Sequence, residues 1–271
     1  MSAVPHGSYM YTIRSTETDF QDKVHFQTLY SMLQEAAGEN AEVYGWGSNT
    51  MDQLNLCWVL VRMSVRMTML PAWKDKMHIE TWSRGAEKLY VSRDFIIRDD
   101  SGHEIGKASS VWIVLDKNTH KPVRPQTLLD MALRQSDETA VFSFTSPKLS
   151  PVYTGEYMSD HLNESCLLKH ADFSDIDRNG HVNNSKYIAW CIDAYYKNFS
   201  KVNQNNIPSI KGMDINYISE LRFSDKINLF FTKKENNQNQ IDGFVAETGK
   251  IAFSALLFTE TDKKGEEKGF V

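Results

Sequence analysis

Cysteine is scarce in this chain: three in 271 residues, Cys57, Cys166 and Cys191, with no C-x-x-C pair. An odd, widely spaced set excludes a disulfide framework and a zinc knuckle, so buried thiols are the expectation. Proline is nearly as scarce, seven in all, and four of them fall between residues 118 and 165. No apolar run approaches the ~20 residues that span a bilayer. The start, MSAVPHGSYMYTIRSTE, lacks the basic head and apolar core of a secretory signal. A cytoplasmic protein without stable membrane insertion is expected. Positive charge is in deficit, 30 Lys+Arg against 35 Asp+Glu for a net charge of −5, which argues against a general nucleic-acid binder.

What is present suits a soluble globular chain, 41% hydrophobic and 24% charged. The length accommodates two domains of roughly 100–150 residues. Residues 18–45 read as one long amphipathic helix, with Phe26, Leu29, Tyr30, Leu33, Ala36 and Ala37 at helical spacing and Gly45 closing it. WVLVRMSVRMTML then alternates, Val59, Val61, Met63, Val65 and Met67 on one face and Leu60, Arg62, Ser64, Arg66 and Thr68 on the other. Three further strand patterns follow, with Asp-Asp-Ser-Gly at 99–102 as a hairpin turn.

The second half repeats that order: a helix over about 183–199, then four strand patterns. KDKMHIETW at 74 is echoed by SDKINLFFT at 224, and GKASSVWIVLD at 106 by GKIAFSALLFTE at 249. Asp19 precedes His25 by the same six residues that separate Asp175 from His181, which makes His25 the positional twin of His181 and a structural remnant. Echoes in one order point to a duplicated unit. The expected organisation is an α+β chain with a first unit at 1–135, a linker at 136–165 and a second unit at 166–271. The tail DKKGEEKGFV reads as charged and mobile.

The stretch DFSDIDRNGHVNNSKYIAW, residues 172–190, concentrates carboxylates, amides and one imidazole just before a helix. If it is extended, Asp177, Asn179 and His181 share one face. Gly180 lets the chain bend, Asn183 or Asn184 can cap the helix, and the helix start offers unpaired N–H groups. Together these can take a proton, donate to a carbonyl and stabilise an oxyanion. Asx-rich turns before helices also serve as plain caps, and the residues alone leave both readings open.

DIDRNGHVNNSKYIAW resembles the signature of the acyl-acyl carrier protein thioesterases, and the stretches at 54–82 and 93–122 resemble that family's N-terminal half, so the likeness covers about residues 9–260. The resemblance implies a tandem (double) hot-dog fold, each sheet wrapping a central long helix, with the acyl chain held by the N-terminal copy. It places Asp177, Asn179 and His181 on catalytic positions and matches Glu220, in NYISEL, to a catalytic glutamate. Leu221 stands where the plant enzymes have cysteine, which removes the nucleophile of a thioester-forming mechanism.

The implied reaction is hydrolysis of fatty acyl-carrier protein by water, without cofactor or metal. Asp177 and Glu220 are candidates for the base, Asn179 for holding the thioester oxygen, and His181 for polarising it or protonating the leaving thiolate. An acyl-CoA thioesterase is the rival within hydrolases and a hot-dog 3-hydroxyacyl dehydratase the rival among lyases. Met51, Met63, Met67, Met69 and Met77 with Trp46, Trp58 and Trp82 suit a deformable acyl tunnel or a plain core. Arg62, Arg66, Arg84, Lys88 and Arg93 are candidates to meet an acidic carrier protein or its phosphopantetheine phosphate. The number of chains in the assembly stays open, a homodimer included.

Overall fold

The helical pattern behind Asp19 becomes a helix only at Phe26. The computed structural model describes residues 6–125, 141–142, 146–153, 167–198 and 208–260. Cys166 and the charged tail after 260 lie outside these residues. Helix α1 (Phe26–Val43) buries Leu29, Tyr30, Leu33, Ala36, Ala37 and Asn40, one continuous stripe. Gly45 at φ +75° donates its N–H to the Glu42 carbonyl at 2.9 Å and ends the helical turn, a conformation that costs a Cβ-bearing residue more.

The chain forms two compact units, 1–148 with 184–188 and 149–183 with 189–271. In the first, β1 (Gly7–Thr12), β2 (Leu56–Met67), β3 (Lys76–Glu87), β4 (Tyr90–Asp99) and β5 (Glu104–Asp116) form an antiparallel sheet in the order β1-β3-β4-β5-β2. The two-residue β6 (Pro122–Val123) pairs with β5, and a short helix α2 (Ser48–Gln53) precedes β2. Helix α1 packs against β3 and β1.

The second unit carries β7 (Leu167–His170), β8 (Ile210–Tyr217), β9 (Lys226–Lys233), β10 (Gln238–Val245) and β11 (Ile251–Thr259), in the order β8-β11-β10-β9-β7. Helix α3 (Asn184–Asn198) buries Tyr187, Ile188, Cys191, Ala194 and Tyr195. Those five positions are Leu29, Tyr30, Leu33, Ala36 and Ala37 of α1 shifted by a constant 158 residues. Cys191 therefore occupies a core position, equivalent to Leu33. The architecture is α+β of the hot-dog type.

Strand β2 departs from strict alternation. A bulge between Leu60 and Arg62 sets Leu60 opposite Trp112 and Arg62 opposite Val111, neighbours on β5, so these two side chains point to opposite faces. Leu60 is accordingly buried while Arg62 lies over the Tyr90 ring. The hairpin at 99–102 forms as expected, with Gly102 at φ +84°.

Each sheet also buries a carboxylate at a matching position. Arg93 reaches Asn40 of α1 at 2.6 Å, so its neighbour Asp94 points to the opposite sheet face. There Asp94 lies in one cross-strand row with Trp82, Ser109 and Ser64, and its Oδ2 accepts the Val141 N–H at 3.0 Å. Asp242 lies in the matching row of the second sheet with Phe230, Ser254 and Asn216, and its Oδ2 accepts the Val152 N–H at 2.8 Å. Val141 and Val152 are thus each held to a sheet by the same device. Burial pushes both carboxyls up; the Val141 N–H, Ser109 and Arg84 pull Asp94 back, as Gln240, Ser254, the Val152 N–H and Lys234 do Asp242.

Candidate active site

The stretch 172–183 is a braced loop, not an extended strand, which corrects the one-face expectation. A 3-10 turn, Phe173–Asp175, opens it, with the Asp172 N–H on Asp175 Oδ2 at 3.0 Å. Ile176 and Val182 then form an isolated β-bridge, and the five residues between them close on themselves. The Asp177 N–H donates to the His181 carbonyl at 2.8 Å and the Gly180 N–H to the Asp177 carbonyl at 3.0 Å. Asp177 Oδ1 accepts the N–H groups of Asn179 at 2.8 Å and His181 at 3.3 Å. Gly180, at φ +80°, supplies the left-handed bend. The loop geometry follows from an Asx turn, not from alternation.

The first unit contains the same loop. Asp19 Oδ1 accepts the N–H groups of Gln21 and Lys23 at 2.8 and 3.0 Å, the Asp19 N–H reaches the Lys23 carbonyl at 2.8 Å, and Thr18 bridges Val24. Asp22 takes the left-handed position of Gly180. The offset is again 158, so His181 corresponds to Lys23 and His25 to Asn183: the His25 N–H reaches the Glu17 carbonyl as the Asn183 N–H reaches Asp175. His25 is therefore not the twin of His181. The six-residue spacing that suggested it matched two different loop positions.

Glu220 joins the site through the loop after β8. The Val182 N–H donates to the Leu221 carbonyl at 2.8 Å, and the Val24 N–H does the same to Pro71, which makes Leu70 the counterpart of Glu220. Glu220 Oε2 lies 3.1 Å from His181 Nε2, with side chains 49% and 24% exposed, so the pair is reachable from solvent. A carboxylate only accepts, so Nε2 carries the proton and Nδ1 is left to take or give a second one. Asn179 Nδ2 lies 3.5 Å from Asp177 Oδ2, a loose contact that leaves the amide available. Leu221, which lacks any nucleophile, is buried. All four expected residues thus lie on two hydrogen-bonded loops, and helix α3 opens at Asn184, three residues beyond His181.

Other expectations change. Arg93 is interior, on Asn40 and on Thr81 at 3.2 Å, and burial pushes its guanidinium down to about 10, so it cannot meet a partner protein. Arg84 leans toward buried Asp94 at 3.6 Å. Met51, Met63, Met67 and Met77 are buried, but Met69 is exposed and lines a shallow surface pocket with Pro71 and Lys74. Trp82 shares Asp94's face, away from α1, and stacks on His6 at 4.6 Å. Two aromatics that pattern reading passed over, Phe173 and Phe223, stand exposed on the site's two loops.

Two antiparallel sheets and two equivalent long helices, with a polar loop before the second helix, define a double hot-dog protein. The chain belongs to the acyl-ACP thioesterase family: its N-terminal domain matches residues 8–128 and its C-terminal domain residues 159–255. It is 26% identical to the chloroplastic oleoyl-acyl carrier protein thioesterase of Coriandrum sativum over 89% of this chain and 66% of the relative. It is 30% identical to the chloroplastic palmitoyl-acyl carrier protein thioesterase of Arabidopsis thaliana, over 68% of this chain and 46% of the relative. The chain thus spans about two thirds or less of the length of these plant relatives. Among solved structures, an acyl-ACP thioesterase from Bacteroides thetaiotaomicron superposes with a TM-score of 0.77 at 25% identity, covering 94% of this chain and 98% of that one. The 12:0-ACP thioesterase from Umbellularia californica shares the fold, with a TM-score of 0.75 at 20% identity over 96% and 98% of the two chains.

Proposed function

We propose that this protein hydrolyses the thioester of fatty acyl-carrier protein to free fatty acid and the carrier thiol, in the cytoplasm. The observation that carries the reading is the pairing of His181 with Glu220 at 3.1 Å on the loop that Asp177 braces, in a chain of this family. The twin loop retains the brace, Asp19, but has Gln21, Lys23 and Leu70 where the reactive groups stand. Bracing is common to both loops; the chemistry belongs to the second.

Asp177 Oδ1 is committed to the loop, and Oδ2 is the oxygen that accepts the proton of an attacking water. As the water oxygen bonds to the thioester carbon, the Asn179 amide and the N–H groups at the start of α3 stabilise the carbonyl oxygen as it becomes anionic. The C–S bond then breaks, and protonated His181, stabilised by the Glu220 carboxylate, gives its proton to the departing sulfur. The first unit's core, with Met51, Met63, Met67 and Met77 buried, supplies deformable apolar side chains of the kind that suit an acyl chain.

The test is thiol release from acyl-carrier protein by wild type, Asp177→Asn and Glu220→Gln. Asparagine keeps an acceptor oxygen for both loop N–H groups and removes only the base, so turnover falls about 10²–10⁴-fold with the fold intact. Glu220→Gln removes the carboxylate that accepts from His181 Nε2, so turnover falls here as well. Full activity in both variants would overturn the assignment.

A further inference from the structure

The site's rim carries two aromatic rings that the hydrolytic reading does not use. Phe173 is 83% exposed and Phe223 59%, and they meet edge to face with ring centroids 6.4 Å apart and planes at 84°. Ile218, 48% exposed, extends the apolar surface on the loop that leads to Glu220. Large apolar side chains held out in water contribute little to the fold's own stability, and a cluster of them beside a reactive site marks a binding surface.

The rings are held firmly in place. Phe173 begins the 3-10 turn that leads to Asp177, and Phe223 follows Glu220 by three residues. The two loops are joined by the Ala171 N–H on the Asp225 carbonyl and the Ser224 N–H on the Ala171 carbonyl, both at 2.9 Å. Asp225 Oδ2 accepts the Arg222 N–H at 2.7 Å, fixing the turn in which Phe223 stands, and Ser224 sits at φ +72°. Rings on pre-ordered turns lose little entropy when a partner covers them.

The twin loops of the first unit supply a contrast. The position equivalent to Phe173 is Ser15, and Trp73, equivalent to Phe223, has Lys74 Nζ over its ring at 4.3 Å. An aromatic pair at these positions thus occurs only in the unit that has His181 and Glu220. Its surroundings carry both signs: Arg178 and Arg222 are exposed on the two loops and Lys226 at the start of β9, beside exposed Asp172 and Glu220, while Asp175 and Asp225 accept backbone N–H groups.

We propose that Phe173 and Phe223, flanked by Arg222 and Lys226, form the docking surface for the protein that presents the acyl thioester. This rests on the hydrolytic reading for its choice of partner. A carrier with an apolar patch beside its tethered phosphopantetheine arm fits the aromatic pair, Arg222 and Lys226 offer partners for its carboxylates, and docking there brings the thioester toward the loop of Asp177 and His181. The surface moves from the arginines of the first unit to the rim of the second.

The experiment uses the full chain with Phe173→Ser, Phe223→Ser and the double substitution, all at exposed positions. Two readouts run in parallel: binding of fluorescently labelled holo-carrier protein, and hydrolysis of one acyl chain presented on carrier protein and on N-acetylcysteamine. The double variant should bind the carrier at least about tenfold more weakly and show a matching rise in KM for the carrier-borne substrate, with kcat and small-thioester hydrolysis unchanged. Arg222→Glu should raise the same KM, most at low salt. Unchanged carrier binding in the double variant overturns the docking surface, and so does an equal loss with both substrates. A wild-type chain that binds carrier through these rings yet cleaves no acyl thioester instead overturns the hydrolytic reading.

Discussion

Two aspartates in equivalent loops separate architecture from chemistry at the scale of single residues. Asp19 and Asp177 each hold two backbone N–H groups at 3.3 Å or less, and the Asp177 loop adds an imidazole paired with the Glu220 carboxylate. Asp19→Ala should therefore cost about 1–2 kcal/mol of stability, the loss of a capping-type acceptor, with thioester hydrolysis unchanged; urea unfolding and turnover measured on one preparation check it. A large fall in turnover would mean that the first loop takes part in the reaction. Asp177, Asn179 and His181 were legible because the motif carries them in a short run, and Glu220 came from a second stretch, NYISEL. Their arrangement was not, since an Asx turn and an extended strand can share one sequence, and only the hydrogen bonds of Asp177 decide between them. The same limit misassigned His25: counting from an aspartate works only if the same aspartate is chosen in both loops.

Among elements, the central helices and most strands follow from periodicity, because each buries one continuous stripe. The short strands β1, β6 and β7 offered too few residues for a pattern, and the bulge in β2 reversed the face of Leu60 without changing the alternation around it. Buried charges were illegible for a related reason: nothing in the local spacing of Arg93, Asp94 or Asp242 tells that a helix or crossover segment will cover them. The paired aspartates make a pH prediction. Burial raises both carboxyls above the ordinary value of 3.8, so over the pH range just above 3.8 the native state keeps protons that the unfolded chain has lost. Stability contributed at these two positions falls as pH rises through that window and levels off above their raised values. Asp94→Asn with Asp242→Asn should flatten that part of the profile relative to wild type in urea unfolding across pH. An unaltered slope would show that neither carboxyl titrates there.

Across the whole molecule, a duplicated fold has diverged by position. The 158-residue offset aligns helix starts, helix cores, 3-10 turns and braced loops, while Lys23 and Leu70 against His181 and Glu220 give each unit its own character. The first unit keeps a methionine-rich core suited to an acyl chain; the second keeps the polar set and the exposed aromatic rim. The most direct test is the rate of thiol release from acyl-carrier protein by the wild-type chain, with Asp177→Asn alongside. Hydrolysis by wild type and a fall of about 10²–10⁴-fold in the variant are expected. A wild-type chain that leaves the thioester intact, or a variant that cleaves it as fast, would contradict the assignment of this loop as the reactive centre.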